Sequence, residues 1–574
     1  MSWPTSAWST IDSSELLDEV NLAFMGFDTT LTRADLLKGL ASVSVLGWLA
    51  PAARAIQTSK TFEITEQDLA IFEKALGLNF TDAERKACLA DVKENFAAMR
   101  DLAIPYATSP ATALIPTGPR PTIGSKIDVR PTRSIKKRPA TDEDIAFLSV
   151  SELASLIKSK QLTPTELTSI YLERMNRLNA RLNCVVSMDE TGAMEAARKA
   201  TDEIAAGRYR GPLHGIPYGI KDLFSTKAMK TTWGAETFKD QLIDHDATVV
   251  RKLADAGAIL IAKLSLGALA MDDKWFGGQT KNPWNLDQGS SGSSAGPASA
   301  LAAGLCGFTI GTETLGSIVS PSQRCRVTGL RPTFGRVSRD GAMALSWTMD
   351  KAGPICRTAE DCLLVLAAIC GADPGDLSAE DRPLVQRRKI DLKSLKIGIL
   401  DDGKPLDESD SNSAKWLSAI NELGLKTTKV KITAPEPATL IGLSVEAAAA
   451  FDSITRTGAV NEMKYSLWPQ IFRAHRYFTA VEYVQSLRQR TLAMQRFDRE
   501  FADFDLILGP DRGAQLLLIT NLTGHPQMYL PIGMDGARPV GMSIVGRLFD
   551  EATVCALGDA VQRITHEWAK RPAL

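Results

Sequence analysis

The stretch from Gly277 to Thr333 reads GGQTKNPWNLDQGSSGSSAGPASALAAGLCGFTIGTETLGSIVSPSQRCRVTGLRPT, and the rest of the chain is organised around it. It is rich in Gly and Ser, as a linker is, but it also contains the apolar run 298–304 and the apolar Phe308. Flexible linkers lack such runs. Small residues placed between apolar segments therefore indicate a backbone that approaches another part of the molecule closely. Two turns of the stretch carry serines, around Ser293 and Ser317.

Helix and strand signals alternate along the chain from about residue 146 to the C-terminus. Capping boxes at Ser149 and Thr163 predict helices over 150–158 and 164–179. A continuous apolar run predicts a buried strand over 258–264, and further strands are predicted near the C-terminus. Alternation of this kind over about 430 residues indicates an α/β layered domain.

The N-terminal part divides into two segments. Residues 1–60 contain an export-signal-like segment, 31–55, which ends in Ala53-Arg54-Ala55. Its apolar run, 39–53, is about 15 residues long and too short to span a membrane comfortably. An acidic stretch precedes it, so an ordinary amphipathic helix is the alternative. The sequence thus leaves an exported (periplasmic) location and a cytoplasmic location open. Residues 61–140 predict a helical extension of two short helices, followed by a proline-rich linker.

Composition excludes several classes of partner. The chain has 574 residues, 44% hydrophobic and 23% charged, with a formal net charge of −1. This balance gives no reason to expect nucleic acid or stable membrane insertion. The eight cysteines form no C-x-x-C pair and the five histidines have no metal-ligand spacing, so we expect no metal and no cofactor.

Lys221 is the first residue whose sequence context indicates a catalytic role. It stands in GPLHGIPYGIKDLF, residues 211–224, where the surroundings are mostly apolar. Burial disfavours the charged form of a lysine, which lowers its pKa and allows it to act as a base. The alternative is a surface lysine that lies beside Asp222.

Two serine turns supply the other signals. Residues 292–296 match G-x-S-x-G with Ser294 at the nucleophile position, as in an α/β-hydrolase esterase, but no strand-like segment precedes them. The turn GTETLGSI, residues 311–318, delivers Ser317 and can aim successive backbone N–H groups at one point, as an oxyanion hole requires. The alternative is a tight turn between two core segments.

Together these residues closely resemble the amidase signature family. The resemblance runs through GIPYGIKD at 215–222, NPWN at 282–285, the Ser/Gly block, GTETLGSI, VTGLRPTFGRVSRDG at 327–341 and DKAGPICRTAED at 350–361. It covers about residues 145–570. It implies a single large domain, 141–574, with a mixed central β-sheet that helices cover on both faces, in addition to the N-terminal helical extension. Residues 401–500 would form the region that sets substrate specificity.

The resemblance also implies roles for individual residues. Lys221 would be the base, Ser293 the bridging serine after a cis peptide bond from Gly292, and Ser317 the nucleophile that forms an acyl-enzyme. The oxyanion hole would consist of backbone groups of the turn, at Thr314, Leu315, Gly316 and Ser317. Leu315 departs from the family pattern because glycine is common there, and Val319 stands where arginine is common.

The implied activity is hydrolysis of a small-molecule amide by a monomer or homodimer. Carboxamides and anilides are the expected substrates, and esters or carbamates (urethanes) are further substrates that the family allows. A different class within the resemblance is the A-type subunit of a glutamine-dependent amidotransferase.

Overall fold

The computed structural model describes residues 63–100, 126–387, 390–401, 411–510, 513–535 and 538–574. The export-signal-like segment 31–55 and most of the proline-rich linker lie outside the described residues. The chain divides into two compact units, Met1–Arg85 and Lys86–Leu574. The boundaries 1–60, 61–140 and 141–574 remain predictions.

The two predicted helices of the N-terminal extension are present. Helix α1 is Glu66–Leu76 and helix α2 is Asp82–Arg100. Thr65 caps α1 in a capping box with Asp68, and Gly77 ends it in a left-handed conformation. These local signals explain why the two helices could be predicted from the sequence.

Helices account for much of the remaining described chain. In chain order they are α3 Asp142–Ala146, α4 Val150–Lys158, α5 Pro164–Leu182, α6 Glu190–Ala205, α7 Thr248–Asp255, α8 Ala295–Ala302, α9 Val319–Cys325, α10 Ala359–Ile369, α11 Ser411–Glu422, α12 Ile441–Ala450, α13 Asp452–Thr457, α14 Trp468–Ala474, α15 Ala480–Phe501, α16 Ala514–Thr523 and α17 Glu551–Thr565. None of the helices in the described parts of the chain is both long and apolar enough to cross a membrane.

One mixed β-sheet of eleven strands forms the centre of the fold. Its strands are β1 Val185–Met188, β2 Pro217–Lys221, β3 Ile259–Leu264, β4 Phe308–Glu313, β5 Thr328–Arg331, β6 Lys351–Cys356, β7 Ile397–Leu400, β8 Thr427–Val430, β9 Leu506–Pro510, β10 Gln527–Asp535 and β11 Arg538–Gly546. Their spatial order is β8-β7-β9-β11-β10-β5-β6-β4-β2-β3-β1.

The middle of this sheet is buried on both faces. Every residue of β2, β5 and β6 is buried, as is every residue of β4 except one. A strand buried throughout needs a layer on each side, and helices supply it. Helices α10 and α17, which pack against each other, cover β6 and β10, and α8 packs on β4 and β2. The predicted α/β fold, with a mixed sheet flanked by helices, is confirmed.

Two neighbouring parallel strands bring the candidate site residues to one edge of the sheet. Strands β2 and β4 pair in parallel, with Tyr218 opposite Phe308 and Ile220 opposite Ile310. Both strands therefore end at the same edge of the sheet. Lys221 is the last residue of β2, and the turn that carries Ser317 begins just after β4.

Candidate active site

Lys221 is held at the end of β2 by three contacts. Its Nζ lies 2.8 Å from Oγ of Ser293 and 2.9 Å from Oγ1 of Thr312, and it lies 3.3 Å from the carbonyl oxygen of Thr312. The side chain is fully buried. Burial lowers the pKa of Lys221 to about 7, although the carboxylates of Asp350 and Glu313 act in the opposite direction.

Asp222, the neighbour of Lys221 in sequence, has a different partner. Its carboxylate forms a buried ion pair with Lys263 on β3, with Nζ and Oδ1 2.9 Å apart. Successive side chains of extended backbone point to opposite sides. The alternative of a surface lysine beside Asp222 is therefore wrong, because both side chains are buried and Lys221 contacts Ser293 instead.

Ser293 follows a cis peptide bond from Gly292, as the family resemblance implies. A side chain at residue 292 would overlap the backbone carbonyl oxygen of Asp272, so only glycine fits there. The Ser293 hydroxyl lies 2.8 Å from Lys221 Nζ. The hydroxyl is almost completely buried.

The Ser294 hydroxyl is hydrogen-bonded to the backbone and has a structural role. Its Oγ donates to the carbonyl oxygen of Thr312 at 3.1 Å and accepts from the Thr312 N–H at 3.2 Å. The strand before it, Asn285–Gly289, belongs to a two-stranded ribbon with Lys281–Asn282 and not to the central sheet. The geometry thus lacks the strand-to-helix elbow that the esterase alternative needs.

Ser317 lies in the turn between β4 and α9. Gly316 precedes it with φ of 91°, a conformation that favours glycine. The Ser317 carbonyl oxygen accepts a hydrogen bond from the N–H of Ser294 at 3.0 Å, which ties the two serine turns together. Ser317 is 8% exposed, so it is reachable at the edge of a buried site.

The Glu313 side chain holds the same turn in place through hydrogen bonds. One carboxylate oxygen accepts from the N–H groups of Ile318 and Val319, at 2.8 and 3.0 Å. The other accepts from Arg331 at 2.8 Å and from Asn521 at 2.7 Å. Burial alone would raise the pKa of Glu313, but Arg331 and the backbone donors outweigh it and lower that pKa. A charged carboxylate therefore fixes the start of α9 directly after Ser317.

The turn also leaves backbone donors without partners. Within the described residues, the N–H groups of Leu315, Gly316 and Ser317 have no acceptor in the chain. The Leu315 side chain is 39% exposed, so it projects away from the packed interior. The departure from glycine at this position is therefore compatible with an accessible turn.

A cavity of about 200 Å³ adjoins the site. Thr312 and Thr314, which flank Glu313 at the end of β4, form part of its lining. The rest of the lining comes from Leu223 and Ala270, from 339–347 in part, and from Asp350, Lys351, Gly375 and Asp376. No group of three or more His, Cys, Asp or Glu in the described parts of the chain is arranged to hold a metal ion.

A comparison with known families shows the family of the chain. Residues 166–555 match the family model described as Amidase. The chain belongs to the amidase signature family. The match contains Lys221, Ser293 and Ser317.

Curated relatives of this amidase signature chain include components of a larger enzyme. The chain is 31% identical to the A-type subunit of the Glutamyl-tRNA(Gln) amidotransferase of Roseiflexus sp. (strain RS-1), over 74% of this chain and 98% of that protein. It is 30% identical to the protein of the same name from Moorella thermoacetica, over 75% of this chain and 99% of that protein. About a quarter of the chain has no counterpart in these relatives.

Solved structures of similar fold include hydrolases. The peptide amidase of Stenotrophomonas maltophilia is 27% identical, with a TM-score of 0.64, over 74% of this chain and 98% of that one. An amidase family protein from Bacillus anthracis is also 27% identical, with a TM-score of 0.68, over 77% of this chain and 96% of that one.

Sequence reasoning missed several residues around the site. Thr312, Glu313, Asp350 and Lys351 lie within or beside it, although no motif pointed to them individually. The available signal was the presence of Glu313, Asp350 and Lys351 in segments that are otherwise apolar or rich in Gly. Val319, where the family commonly has arginine, packs with Leu517 and Tyr529 in a small apolar cluster.

Proposed function

We propose that the chain is a freestanding amide hydrolase in which Ser317 is the nucleophile, Ser293 relays protons and Lys221 is the base. The observation that carries this proposal is the 2.8 Å contact between Lys221 Nζ and Ser293 Oγ, two side chains that are almost completely buried. A buried lysine with a pKa of about 7 is neutral in a useful fraction of molecules at neutral pH. In that form its lone pair accepts the proton of Ser293.

The reaction then follows in two stages. Ser293 passes its proton to Lys221 as it accepts the proton of Ser317, and the Ser317 oxygen attacks the substrate carbonyl. The proton returns through Ser293 to the departing nitrogen, and an acyl ester on Ser317 remains. A water molecule attacks this ester with the same relay as base, which releases the carboxylic acid. No histidine takes part.

The turn before Ser317 supplies the charge stabilisation. The unpartnered N–H groups of Leu315, Gly316 and Ser317, with the backbone of Thr314, are the donors that we assign to the oxyanion hole. Preorganised backbone donors of this kind stabilise the developing oxyanion by about 3–4 kcal/mol each. Glu313 and Arg331 hold the turn in place and do not contact the substrate.

Amides of small carboxylic acids and anilides are the proposed substrates, and esters or carbamates fall within the same chemistry. The second candidate is the A-type subunit of an amidotransferase, which the 31% identity to such a protein favours. The similarity to a peptide amidase and the segments of this chain outside the alignment with the amidotransferase relatives support the freestanding hydrolase.

The test uses the purified full chain without partners. We expect it to release ammonia from simple primary amides, and we expect Ser317→Ala to reduce this release by about 10⁴-fold or more. A fluorophosphonate probe should label Ser317 in the unsubstituted chain only. Activity that appears only in the presence of a partner protein would favour the amidotransferase candidate. Full activity in Ser317→Ala would exclude the proposed nucleophile.

A further inference from the structure

The cavity beside the candidate site has apolar walls and a polar end. Leu223, Met343, Leu345 and Trp347 contribute apolar surface, and Trp347 is half exposed. An apolar side chain of a substrate therefore fits between these walls. Thr312, whose hydroxyl contacts Lys221, and Thr314 connect the cavity with the proposed catalytic groups.

Four of the five charged side chains on the lining are already engaged within the protein. Asp376 pairs with Arg339 at 3.0 Å, and Asp340 pairs with Arg251 at 3.2 Å. Asp350 accepts three hydrogen bonds, from the Thr314 hydroxyl at 2.5 Å and from the N–H groups of residues 345 and 346 at 2.8 and 2.9 Å.

Lys351 is the exception. Its side chain is 2% exposed, and its Nζ has one hydrogen-bond partner among the described residues, the Thr314 carbonyl oxygen at 3.5 Å. That distance is at the outer limit of a hydrogen bond. Burying an amine N–H that has no acceptor costs free energy, unless another group accepts a hydrogen bond from it. Lys351 also lines the cavity, so a molecule bound there lies next to this residue.

We propose that Lys351 determines specificity by donating a hydrogen bond to an uncharged acceptor in the acyl part of the substrate. The inference rests on the proposed amide hydrolysis. With a primary amide the leaving group is ammonia, so whatever occupies the cavity belongs to the acyl part. The preferred substrates are then amides whose acyl part combines an apolar side chain with a second carbonyl group, as an N-acylamino acid amide does.

The charges around the cavity favour a neutral acceptor over an anion. Asp340 and Asp376 are each paired with an arginine, and burial lowers the pKa of Lys351 well below its usual range, which disfavours its charged form. A carboxylate on the substrate would therefore find no unpaired arginine among the described residues of the lining and would lie near the carboxyl group of Asp350. A carbonyl oxygen accepts from the amine without adding charge.

The test compares two amides that share the 4-methylpentanamide skeleton and differ in an acetamido group on its second carbon. N-acetyl-L-leucinamide carries the second carbonyl, and 4-methylpentanamide lacks it. Binding is measured by calorimetry in the Ser317→Ala protein, so that turnover does not interfere. We expect the further change Lys351→Met to weaken binding of N-acetyl-L-leucinamide about tenfold, the loss of one hydrogen bond, and to change binding of 4-methylpentanamide less than about twofold.

Two variants control for indirect effects. Lys351→Gln keeps an N–H donor and should restore part of the affinity for N-acetyl-L-leucinamide. Lys252→Met removes a half-buried lysine that donates to the Cys370 carbonyl oxygen at 2.8 Å, outside the cavity lining, and should leave both affinities unchanged.

The inference is overturned if Lys351→Met weakens both amides equally, if it weakens neither, or if the Ser317→Ala protein binds neither amide. These outcomes are distinct from failure of the proposed function, which would appear as continued ammonia release by the Ser317→Ala protein.

Discussion

Ser293 and Ser294 are adjacent, but their hydroxyls serve different partners. Ser293 contacts Lys221, whereas Ser294 holds the backbone of Thr312 through both its N–H and its carbonyl oxygen. We expect Ser293→Ala to lower kcat by about 10²–10⁴-fold with little loss of stability, because it removes a proton relay. We expect Ser294→Ala to lower the free energy of unfolding by about 1–3 kcal/mol, because it leaves a buried N–H unsatisfied.

Steady-state kinetics and urea unfolding of the two variants separate these roles, and each serine is the control for the other. The opposite pattern, with Ser294→Ala inactive and Ser293→Ala active, would shift the proposed relay by one residue.

Lys221 predicts the pH dependence of the reaction. The relay needs the neutral amine, and burial places the pKa of Lys221 at about 7. The kcat/KM for an amide without ionisable groups should therefore fall about tenfold per pH unit below pH 7 and level off above it. The measurement is a pH–rate profile from pH 5 to 10 in buffers of constant ionic strength.

The Lys221→Ala variant is the control for this profile. It should lose about 10²–10⁴-fold in kcat/KM, and its residual activity should lack the inflection near pH 7. A profile of the unsubstituted protein that stays flat down to pH 5 would contradict Lys221 as the base.

Among individual residues, Lys221 and Ser317 stand in unusual local contexts, whereas Ser293 was indicated only by the family resemblance, since the local G-x-S-x-G pattern pointed to Ser294. A lysine in an apolar strand and serines in glycine turns are visible without a structure. The partners of Glu313 were not visible, because Arg331 and Asn521 reach it only through strand pairing and helix packing. The partner of Asp222 was hidden for the same reason, since Lys263 lies on the adjacent strand.

At the level of elements, the β4–turn–α9 unit depends on one buried carboxylate. Glu313 at the end of β4 accepts from the first N–H groups of α9 and pairs with Arg331 on β5. We expect Glu313→Gln to lower the free energy of unfolding by about 3–5 kcal/mol, because it leaves a buried guanidinium uncompensated. It should also lower kcat by about 10²-fold, because Ser317 loses its fixed position.

Glu551 provides a matched control for this prediction. It forms an equally buried pair with Arg336, at 2.7 Å, and accepts from the Thr333 N–H at 2.9 Å, but it is not part of the serine turns. Glu551→Gln should destabilise the protein to a similar extent while the remaining folded enzyme keeps its kcat. Urea unfolding and active-site titration measure the two effects. Equal losses of kcat in both variants would indicate that Glu313 acts only through stability.

Helices were predicted better than the central strands. Helices α4 and α5 begin where their capping boxes place them, and α4 ends at the predicted residue. Strands β2, β4, β5 and β6 could not be assigned, because central strands buried on both faces lack the alternation that identifies a half-exposed strand. Their place in the sheet depends on pairings such as that of β4 with β6, which connect distant parts of the sequence.

At the scale of the whole molecule, the order of the eleven strands could not be read from local signals. Strand β5 lies between β6 and β10, so the C-terminal part of the chain joins the part that carries the serines. His525 stands at this junction, before β10. Its carbonyl oxygen accepts a hydrogen bond from Arg331 at 2.6 Å. Its imidazole ring packs in a T-shaped arrangement with Phe497 and with Phe501 on α15.

His525 makes the stability of the whole fold sensitive to acid. Burial lowers its pKa to about 3, and Arg331 and Arg547 act in the same direction. In the unfolded chain a histidine has a pKa of about 6.5. Below pH 6.5 the unfolded chain therefore takes up a proton that the folded protein does not. The stability that neutral His525 contributes above pH 6.5 is lost as the pH falls toward about 3. Between pH 7 and pH 5 this loss amounts to about 2 kcal/mol.

The measurement is urea unfolding at pH 7, 6 and 5 of the unsubstituted protein and of His525→Gln, which cannot titrate. Other groups contribute equally to both proteins, so the difference between their free energies of unfolding should shrink by about 2 kcal/mol from pH 7 to pH 5. His245→Gln, at an exposed position, is the control and should follow the unsubstituted protein. If the curves of the unsubstituted protein and of His525→Gln stay parallel, His525 takes up its proton in the folded state as readily as in the unfolded chain, and the junction between β10 and α15 is not as closed as its packing indicates.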